Sequence, residues 1–426
     1  MDKIKIGLIG LGTVASGVYK TLQSFENIEI VKIAVRDINK ERNIEGLDKS
    51  LLTLDANEIV NDESIQIVVE LIGGVEPAMT LIKTALNNGK HVVTANKELL
   101  AKHGEELFEL AAKKNRVILY EGAIAGGIPI IMPIKTILAA NKINKIEAIL
   151  NGTTNYILTK MDVDKSSYDD VLKEAQKLGY AEADPTSDVE GFDAAYKLAT
   201  LATISFNKRI KIEDVYREGI SKVRAEDIEY ANELGYKIKL IAHAEMLDEN
   251  NADVRVHPMF VSKKTTLAHI DFVTNAVSIS GFPIGQVTLS GPGAGEFPTA
   301  SSVTGDIVVL SNEIGTTDYI LPMMRCKHGS AANVVDIKET TNKYYLSVKV
   351  SNKTGIIGKL GLVFAENGIS LASLLQKGVL EDNTATIVII TELCREKDVL
   401  KAIEDLKKEG CINELNSMIR VANNDV

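Results

Sequence analysis

Ile4-Lys-Ile-Gly-Leu-Ile9, followed at once by Gly10-Leu-Gly12-Thr13-Val14-Ala15, opens the chain and decides its fold. A short apolar strand runs into a glycine turn, and a helix follows to about Ser24. Gly10 permits the tight turn and Gly12 lets the backbone approach a pyrophosphate. Ala15 stands where the pattern often has a third glycine, and is small enough for close helix–strand packing. The helix N-terminus offers unpaired N–H groups and a partial positive charge to phosphates. A second strand, Ile28 to Val35, ends in Arg36-Asp37, where the reader of the ribose belongs. Asp37 suits the 2′-hydroxyl of NAD and Arg36 the 2′-phosphate of NADP, so both cofactors stay open, with the residue order leaning slightly to NADP.

Outward from this point strands alternate with helices to about residue 120. Ser64–Ile72, His91–Thr94 and Val117–Tyr120 read as buried strands, Pro77–Asn88 and Glu98–Lys113 as helices. Such alternation predicts an α/β fold with a doubly wound parallel sheet, whose ligands sit at the carboxyl ends of its strands. Gly10–Ala15, Leu71-Ile-Gly73-Gly74 and Thr94-Ala-Asn-Lys97 all fall at such ends. Lys97 begins a helix, where a cation opposes the dipole, an odd place for a merely solvating side chain.

A second texture follows. Glu121-Gly-Ala-Ile124-Ala-Gly126-Gly-Ile128-Pro is a glycine-rich turn before a helix. Asn151-Gly152-Thr153-Thr-Asn-Tyr is a polar turn after strand Ile143–Leu150. Between Tyr180 and Lys197 the chain places five carboxylates ahead of one lysine. Pro185 breaks the chain, Asp188 is a good N-cap, and a helix is expected from about Val189. On it Glu190, Asp193 and Lys197 fall at i, i+3 and i+7, one charged stripe on a cylinder otherwise lined by Phe192, Ala195, Leu198, Ala199, Leu201 and Ala202. Such a stripe faces a polar cleft; alternatively it is an exposed i,i+4 ion pair, worth about 0.3–0.5 kcal/mol. Strands return at Lys237–Met246, Val254–Val261, Ala276–Ser280 and Gln286–Leu289, and Gly291-Pro-Gly-Ala-Gly295 precedes a helix from about Pro298. This is the pattern of an α+β substrate domain. From Tyr344 onward the order is βαββαβ, a ferredoxin-like split βαβ.

Composition narrows the field. The chain has 426 residues, a quarter of them charged, and a net charge of −10, which argues against nucleic-acid or anionic-membrane binding. No apolar run approaches 18 residues, and Met-Asp-Lys-Ile-Lys leads straight into the first strand, so neither a membrane span nor a signal peptide is expected. Cys326, Cys394 and Cys411 are scattered and lack a C-x-x-C. They suit a reducing cytoplasm and suggest neither a disulfide framework nor a zinc site.

The nucleotide loop, Thr94-Ala-Asn-Lys97-Glu-Leu-Leu-Ala, Glu121–Pro129, Asn151–Tyr156 and Tyr180–Lys197 together resemble homoserine dehydrogenase, in that family's order and over most of residues 1–320. The C-terminal unit resembles an ACT domain, an amino-acid-sensing module. The resemblance implies three domains: residues 1–125 a NAD(P)-binding Rossmann domain, 126–325 a catalytic and dimerisation domain, 344–426 an ACT regulatory domain. It implies an NAD(P)-dependent oxidoreductase that interconverts L-homoserine and L-aspartate 4-semialdehyde on the route to threonine, isoleucine and methionine. A homodimer or homotetramer is expected from it too, with the ACT unit either a site of feedback regulation, L-threonine being the favoured effector, or a purely structural, dimerising module. Asn352, where ACT domains often place Asp, is a departure that bears on the effector.

Residue by residue, the resemblance makes Lys197 the proton donor and Lys97 a second lysine facing substrate and nicotinamide. Asp193, one turn before Lys197, fixes its rotamer. Glu182 matches the carboxylate for the substrate ammonium; Asp188, Tyr180, Gly152 and Thr153 line the same site. Gly73, Lys97 and Gly295 fall where relatives touch the cofactor, and Gly10, Gly12, Thr13 and Val14 of the nucleotide loop with Arg36 after the second strand complete the expected cofactor site. Glu121, Ile124, Gly126 and Ile128 match positions whose carbonyls hold a structural Na⁺. The chemistry needs these types. Hydride delivery to an aldehyde creates an alkoxide, which a lysine ammonium in a dry site can meet, and a second lysine lowers the pKa of the first below its free value of about 10.4. Two other readings fit the same residues: a related Rossmann semialdehyde reductase, and a non-catalytic sensor of NADP and an amino acid. A pure sensor would need neither Lys97 nor Lys197.

Overall fold

Short runs of β-branched residues without polar alternation make strands buried on both faces. β4 (Ile67–Glu70), β5 (His91–Thr94) and β6 (Ile118–Leu119) are of this kind, β1 (Ile4–Ile9) is buried over its last four residues, and β2 (Ile28–Ala34) and the edge strand β3 (Leu52–Thr53) are partly exposed. In the computed structural model, which describes residues 3–314, 323–326, 329–379 and 382–422, they form one all-parallel sheet in the order β3-β2-β1-β4-β5-β6. Stretches 1–2, 315–322, 380–381 and 423–426 of the expected domains lie outside the described residues. Helices α1 (Thr13–Leu22), α2 (Asn57–Val60), α3 (Ala78–Asn87) and α4 (Lys97–Lys113) connect the strands. The strand order reverses between β1 and β4, so the loops after these two strands diverge and leave a crevice. Gly10 and Gly73 stand in those two loops.

The described chain divides into two compact units. The first holds Met1–Ile146, Tyr196–Asp214 and Thr274–Ala332; the second holds Glu147–Ala195, Val215–Val273 and Asn333–Val426. After α5 (Ile131–Lys135) and β7 (Lys142–Ile149) the second unit adds α6 (Gly152–Asp164), α7 (Tyr168–Lys177) and α8 (Thr186–Val189). α9 (Phe192–Phe206) follows. Here the expectation from sequence needs correcting. Asp188 does not cap the long helix; it lies inside α8, a single turn closed by Pro185 O accepting from the N–H groups of Asp188 and Val189, both at 2.9 Å. Gly191, with φ of +79°, then turns the chain before α9 begins. Glu190 is therefore off the helix, and the charged stripe reduces to Asp193 and Lys197.

Downstream come β8 (Tyr216–Arg217), α10 (Ala225–Glu233), β9 (Tyr236–Met246), β10 (Asn251–Ser262), β11 (Thr274–Phe282), β12 (Gly285–Pro292) and α11 (Glu296–Glu313). β13 (Asn333–Val334), β14 (Thr341–Ser351), β15 (Leu371–Val379), β16 (Thr384–Thr391), β17 (Cys394–Arg395) and β18 (Glu414–Val421) complete the strands, with helices Ile356–Glu366 and Glu396–Lys408 between them. The C-terminal elements realise the expected βαββαβ order. Within the second unit the sheet runs β9-β10-β18-β14-β16-β15, and β18 lies parallel to β10 through Met259↔Arg420 and Phe260↔Val421. Buried polar ties reinforce this seam. Arg255 donates to Thr340 Oγ1 (3.0 Å) and Asn342 Oδ1 (2.8 Å), while Asp227 accepts from Tyr345 (2.8 Å) and Ser417 (2.6 Å). Arg420 of β18 donates to Glu218 Oε1 at 2.9 Å across the seam, and its two bonds to Glu396, at 2.7 and 2.6 Å, hold it within the C-terminal unit. Leaving a buried charged group without its hydrogen-bond partners costs about 1–3 kcal/mol or more, so the bonds of Arg255 and Asp227 bind the C-terminal unit to β10 and α10. Among the described residues no helix is long and apolar enough to cross a membrane.

In the first unit α11 packs along α1 and over the 121–128 turn. A Cβ at Gly17 of α1 would meet Glu296 O at 2.7 Å and Ala300 Cβ at 2.8 Å. Beneath α11, Asp306 is fully buried and accepts the Glu121 N–H at 2.8 Å. Burial, and then the adjacent Glu121 carboxyl, push the Asp306 carboxyl well above the usual range. An acid raised in the folded state contributes stability that is complete below its unfolded pKa and is lost as pH rises through the folded one. Asp306→Asn keeps an acceptor for Glu121 without the charge. Thermal melts at pH 5 and 7.5 should show the variant gaining on wild type as pH rises, by roughly 1–3 kcal/mol at the upper value; a constant difference would remove Asp306 as the titrating group.

Candidate active site

The turn after β1 is built for a ligand. Gly10 has φ of +102°, and a Cβ there would sit 3.0 Å from Leu71 O. Gly12, the residue before α1, is extended and carries no side-chain cap; a Cβ on it would meet nothing within 4 Å, so its outer side is open. Thr13 and Val14 follow as the first residues of α1, with no acidic side chain in that turn. Gly73 and Gly74, both at φ of +71°, form an equally open loop after β4. Gly295, at φ of +121°, precedes α11, whose Glu296 pairs with Lys20 of α1 at 2.7 Å. Past β2, Arg36 and Asp37 are exposed, and Asp37 shapes its own loop by accepting the Asn39 N–H at 2.8 Å. Open N–H groups at a helix start beside left-handed glycines fit a dinucleotide's phosphates.

Sequence reasoning missed what holds these loops. Glu70, wholly buried at the end of β4, accepts the Ile72 N–H at 2.9 Å, the Gly73 N–H at 3.1 Å and the Thr94 hydroxyl at 2.6 Å. The expected strand to Ile72 is cut short there because those amides bond the carboxylate. Asn96 continues the network: it caps α4 through Leu99 N–H (3.1 Å), takes its own N–H to Thr94 Oγ1 (3.0 Å) and donates to Gly74 O (2.7 Å). Lys97, half-buried, is the first residue of α4 and is thus tied to both loops. In the sequence Glu70 reads as an ordinary sheet residue; only its burial reveals what it holds.

In the second unit Asn151 caps α6 by accepting the Thr154 N–H at 2.8 Å. Its amide nitrogen donates to Asp188 Oδ1 at 2.7 Å and Asp193 Oδ2 at 3.0 Å. Thr153 donates its hydroxyl to Tyr180 O at 2.7 Å, and the Tyr180 ring leans on Tyr156 with centroids 4.8 Å apart. Gly152 must be glycine, since a Cβ would come within 2.9 Å of Val273 O. Asp188, Asp193, Thr153 and Tyr180 are thus brought together. Glu182 stays on the surface of this unit, where its carbonyl accepts from Gln176 at 3.1 Å. Asp193 and Lys197 lie one turn apart on α9, and both are buried, at 3 % and 8 % exposure. Such burial rejects the reading of an exposed ion pair.

The 121–128 turn is buried at Glu121, Ile124, Gly126 and Ile128. The Glu121 carboxylate accepts the N–H groups of Ile130, Ile131 and Met132, anchoring the start of α5. Burial raises its pKa, opposed by those three bonds. Gly126 has φ of +60° and its carbonyl accepts the Ser302 hydroxyl at 2.6 Å. Neutral backbone carbonyls at a buried turn are the hard donors an alkali cation takes, so the residues fit such an ion.

Fold and cradle define a nicotinamide-dinucleotide oxidoreductase. The profile described as "Homoserine dehydrogenase, NAD binding domain" matches residues 10–121, that described as "Homoserine dehydrogenase" matches 129–308, and that of the ACT domain matches 344–411. The homoserine dehydrogenase of a Synechocystis species is 43 % identical over 98 % of this chain and 99 % of its own. A crystal structure of the enzyme from Thiobacillus denitrificans superposes with a TM-score of 0.92 at 38 % identity, covering 99 % of both chains. A hyperthermophilic archaeal homoserine dehydrogenase solved with NADPH matches 72 % of this chain and 97 % of its own, with a TM-score of 0.62 at 29 % identity. The chain belongs to the homoserine dehydrogenase family, and carries its C-terminal ACT domain.

Glu70→Gln tests the network behind the cradle. A carboxamide keeps one oxygen for the Ile72 and Gly73 amides but turns its NH₂ towards the Thr94 hydroxyl and removes the charge that assists all three bonds, so the Gly73 loop loosens. Titration should show NADPH binding weakened by about 1.5–3 kcal/mol, the scale of a charge-assisted bond. Unchanged binding would make Glu70 a residue of the sheet alone.

Proposed function

We propose that the protein is an NAD(P)-dependent homoserine dehydrogenase interconverting L-homoserine and L-aspartate 4-semialdehyde. The observation that carries this reading is Lys197 buried on α9 one turn after a buried Asp193. An ammonium held away from water, beside a fixed carboxylate, is suited to giving a proton to an alkoxide as it forms. The nicotinamide, when bound in the Gly10–Val14 cradle and against Gly73, Lys97 and Gly295, supplies the hydride for reduction or takes it up in oxidation. Lys197 protonates the oxygen in reduction and accepts that proton in oxidation. Lys97 adds a second positive charge facing the reacting oxygen. Glu182 receives the substrate ammonium, while Asp188, Tyr180, Gly152 and Thr153 shape the pocket around the substrate's polar groups.

Residues 1–125 then bind cofactor, 126–325 bind substrate and form a dimer or tetramer, and 344–426 sense an amino acid. L-threonine is the effector that pathway logic favours, near Asn352–Ile356 and the start of β15. Na⁺ at the carbonyls of Glu121, Ile124, Gly126 and Ile128 would be structural. Arg36 beyond β2 inclines the cofactor choice to NADP.

Initial rates with L-homoserine and either NAD⁺ or NADP⁺, with and without threonine, test the activity, the cofactor preference and the effector together. No turnover of homoserine with either cofactor would sink the reading. Lys197→Met should lower kcat by about 10²–10⁴-fold, the usual scale of proton-transfer assistance, with NADPH affinity little changed. A variant keeping more than about a tenth of wild-type turnover would exclude Lys197 as the proton donor.

A further inference from the structure

Asn151 sits at the middle of the second unit's polar cluster, and every hydrogen-bonding position of its side chain is used. Oδ1 accepts from the Thr154 N–H at 2.8 Å and from the Thr154 hydroxyl at 3.0 Å. Nδ2 carries two hydrogens; the bonds to Asp188 Oδ1 (2.7 Å) and Asp193 Oδ2 (3.0 Å) use both. The orientation of the amide is not a free choice. A flip would turn the NH₂ group towards a backbone N–H and set its oxygen against two carboxylates, losing three of the four bonds and keeping only a reversed one to the Thr154 hydroxyl. Asn151 itself is 5 % exposed, so water cannot readily replace what it gives.

Two carboxylates within reach of one nitrogen repel each other, and the repulsion strengthens as water is excluded. Asn151 is a neutral group that gives each of them one donor. Asp188 belongs to the short α8 and Asp193 to the first turn of α9, with Gly191 between them. Without a bridge this bend would let the two side chains swing apart. The start of α6 is fixed by the same residue, through its Oδ1, so one side chain sets the register of three helix ends.

We propose that Asn151 is a positioning residue for the reaction. It clamps Asp188, which faces substrate, and Asp193, which orients Lys197, into one rigid carboxylate pair. The proposal rests on the functional reading above, in which Lys197 transfers the proton. Its effect is transmitted through Asp188 and Asp193, and Asn151 touches no reacting atom.

The helix-capping scale provides the test. Asn, Asp and Ser cap helices about equally well, so a residue needed only to start α6 would tolerate all three. The bridge would not. Asn151→Asp keeps size and cap but puts a third carboxylate where the donor was; Asn151→Ser keeps the cap oxygen and loses the two-hydrogen amide. The full-length protein is assayed for kcat and KM with L-homoserine, for NADPH affinity by fluorescence, and for thermal midpoint. The expected order of kcat/KM is Asn above Ser above Asp. The fall is about 10-fold for Ser and 100-fold or more for Asp, shared between lower kcat and higher KM for homoserine, as a change in both carboxylates requires. NADPH affinity should stay within about two-fold of wild type, because the cradle shares no bond with Asn151.

Equal kcat/KM in all three proteins would overturn the proposal and leave Asn151 a cap. So would losses that follow the melting temperature or the NADPH affinity. If Asn151→Asp fails to fold, Asn151→Ser decides by the same readouts. A wild-type protein inactive on homoserine would instead defeat the functional reading, and this proposal with it; an active wild type with indifferent variants defeats this proposal alone.

Discussion

Helix α11 can lie against the first unit only because the points of closest contact on the surface it meets are glycines. Gly17 of α1, Gly122 and Gly127 each leave the space that Glu296, Val303 and Pro298 fill, and Gly126 makes way for the Gly293 carbonyl just before the helix. An alanine at any of these would push against backbone or a packed side chain at 3.0 Å or less. The contact brings a segment almost 300 residues along the chain back to the first glycine turn. It sets Gly295 beside α1 through the Lys20–Glu296 pair, and seats Asp306 beneath the 121–128 turn. Close backbone approach is therefore the constraint from which the cofactor cradle and the carbonyl turn both follow.

Buried and half-buried carboxylates carry the rest of the local order, each matched to donors. Glu70 gathers two amides and a hydroxyl, Glu121 gathers three amides, and Asp188 and Asp193 share the amide of Asn151. A carboxylate that accepts backbone N–H groups fixes a loop more tightly than packing alone, because breaking the set leaves an uncompensated charge. These groups sit where the chain leaves a strand or enters a helix, the places where side-chain direction matters for chemistry.

The C-terminal unit is joined to β10 and α10 by more than a linker. β18 lies parallel to β10, Phe260 stacks on Tyr345 with centroids 4.4 Å apart, and Arg255 and Asp227 each bond across the seam. A change in the βαββαβ unit thus has a physical route into β10 and its partner strand β9. The archaeal relative spans only 72 % of this chain with nearly all of its own, so the family's fold also exists in a shorter form. In the present chain the C-terminal unit's removal would strip buried charges of their partners.

The amino-acid sequence by itself determined the elements and the class. Apolar runs placed β1 and β5 to the residue, glycine and proline placed the turns, and the order of motifs gave the family. Local rules suffice there, because a strand's burial pattern and a glycine's backbone freedom are properties of a few neighbouring residues. They failed at Asp188, where Pro185 and Gly191 overrode a good capping residue, and at Ser64–Ile72, where Glu70 captured the amides that would have extended the strand. They did not single out Glu70 or Asn151, since a carboxylate or an amide shows its role only through partners elsewhere in the chain. Tertiary structure alone decided which polar groups are dry, which share a donor, and which glycines stand against α11, because desolvation and packing depend on what arrives from distant segments.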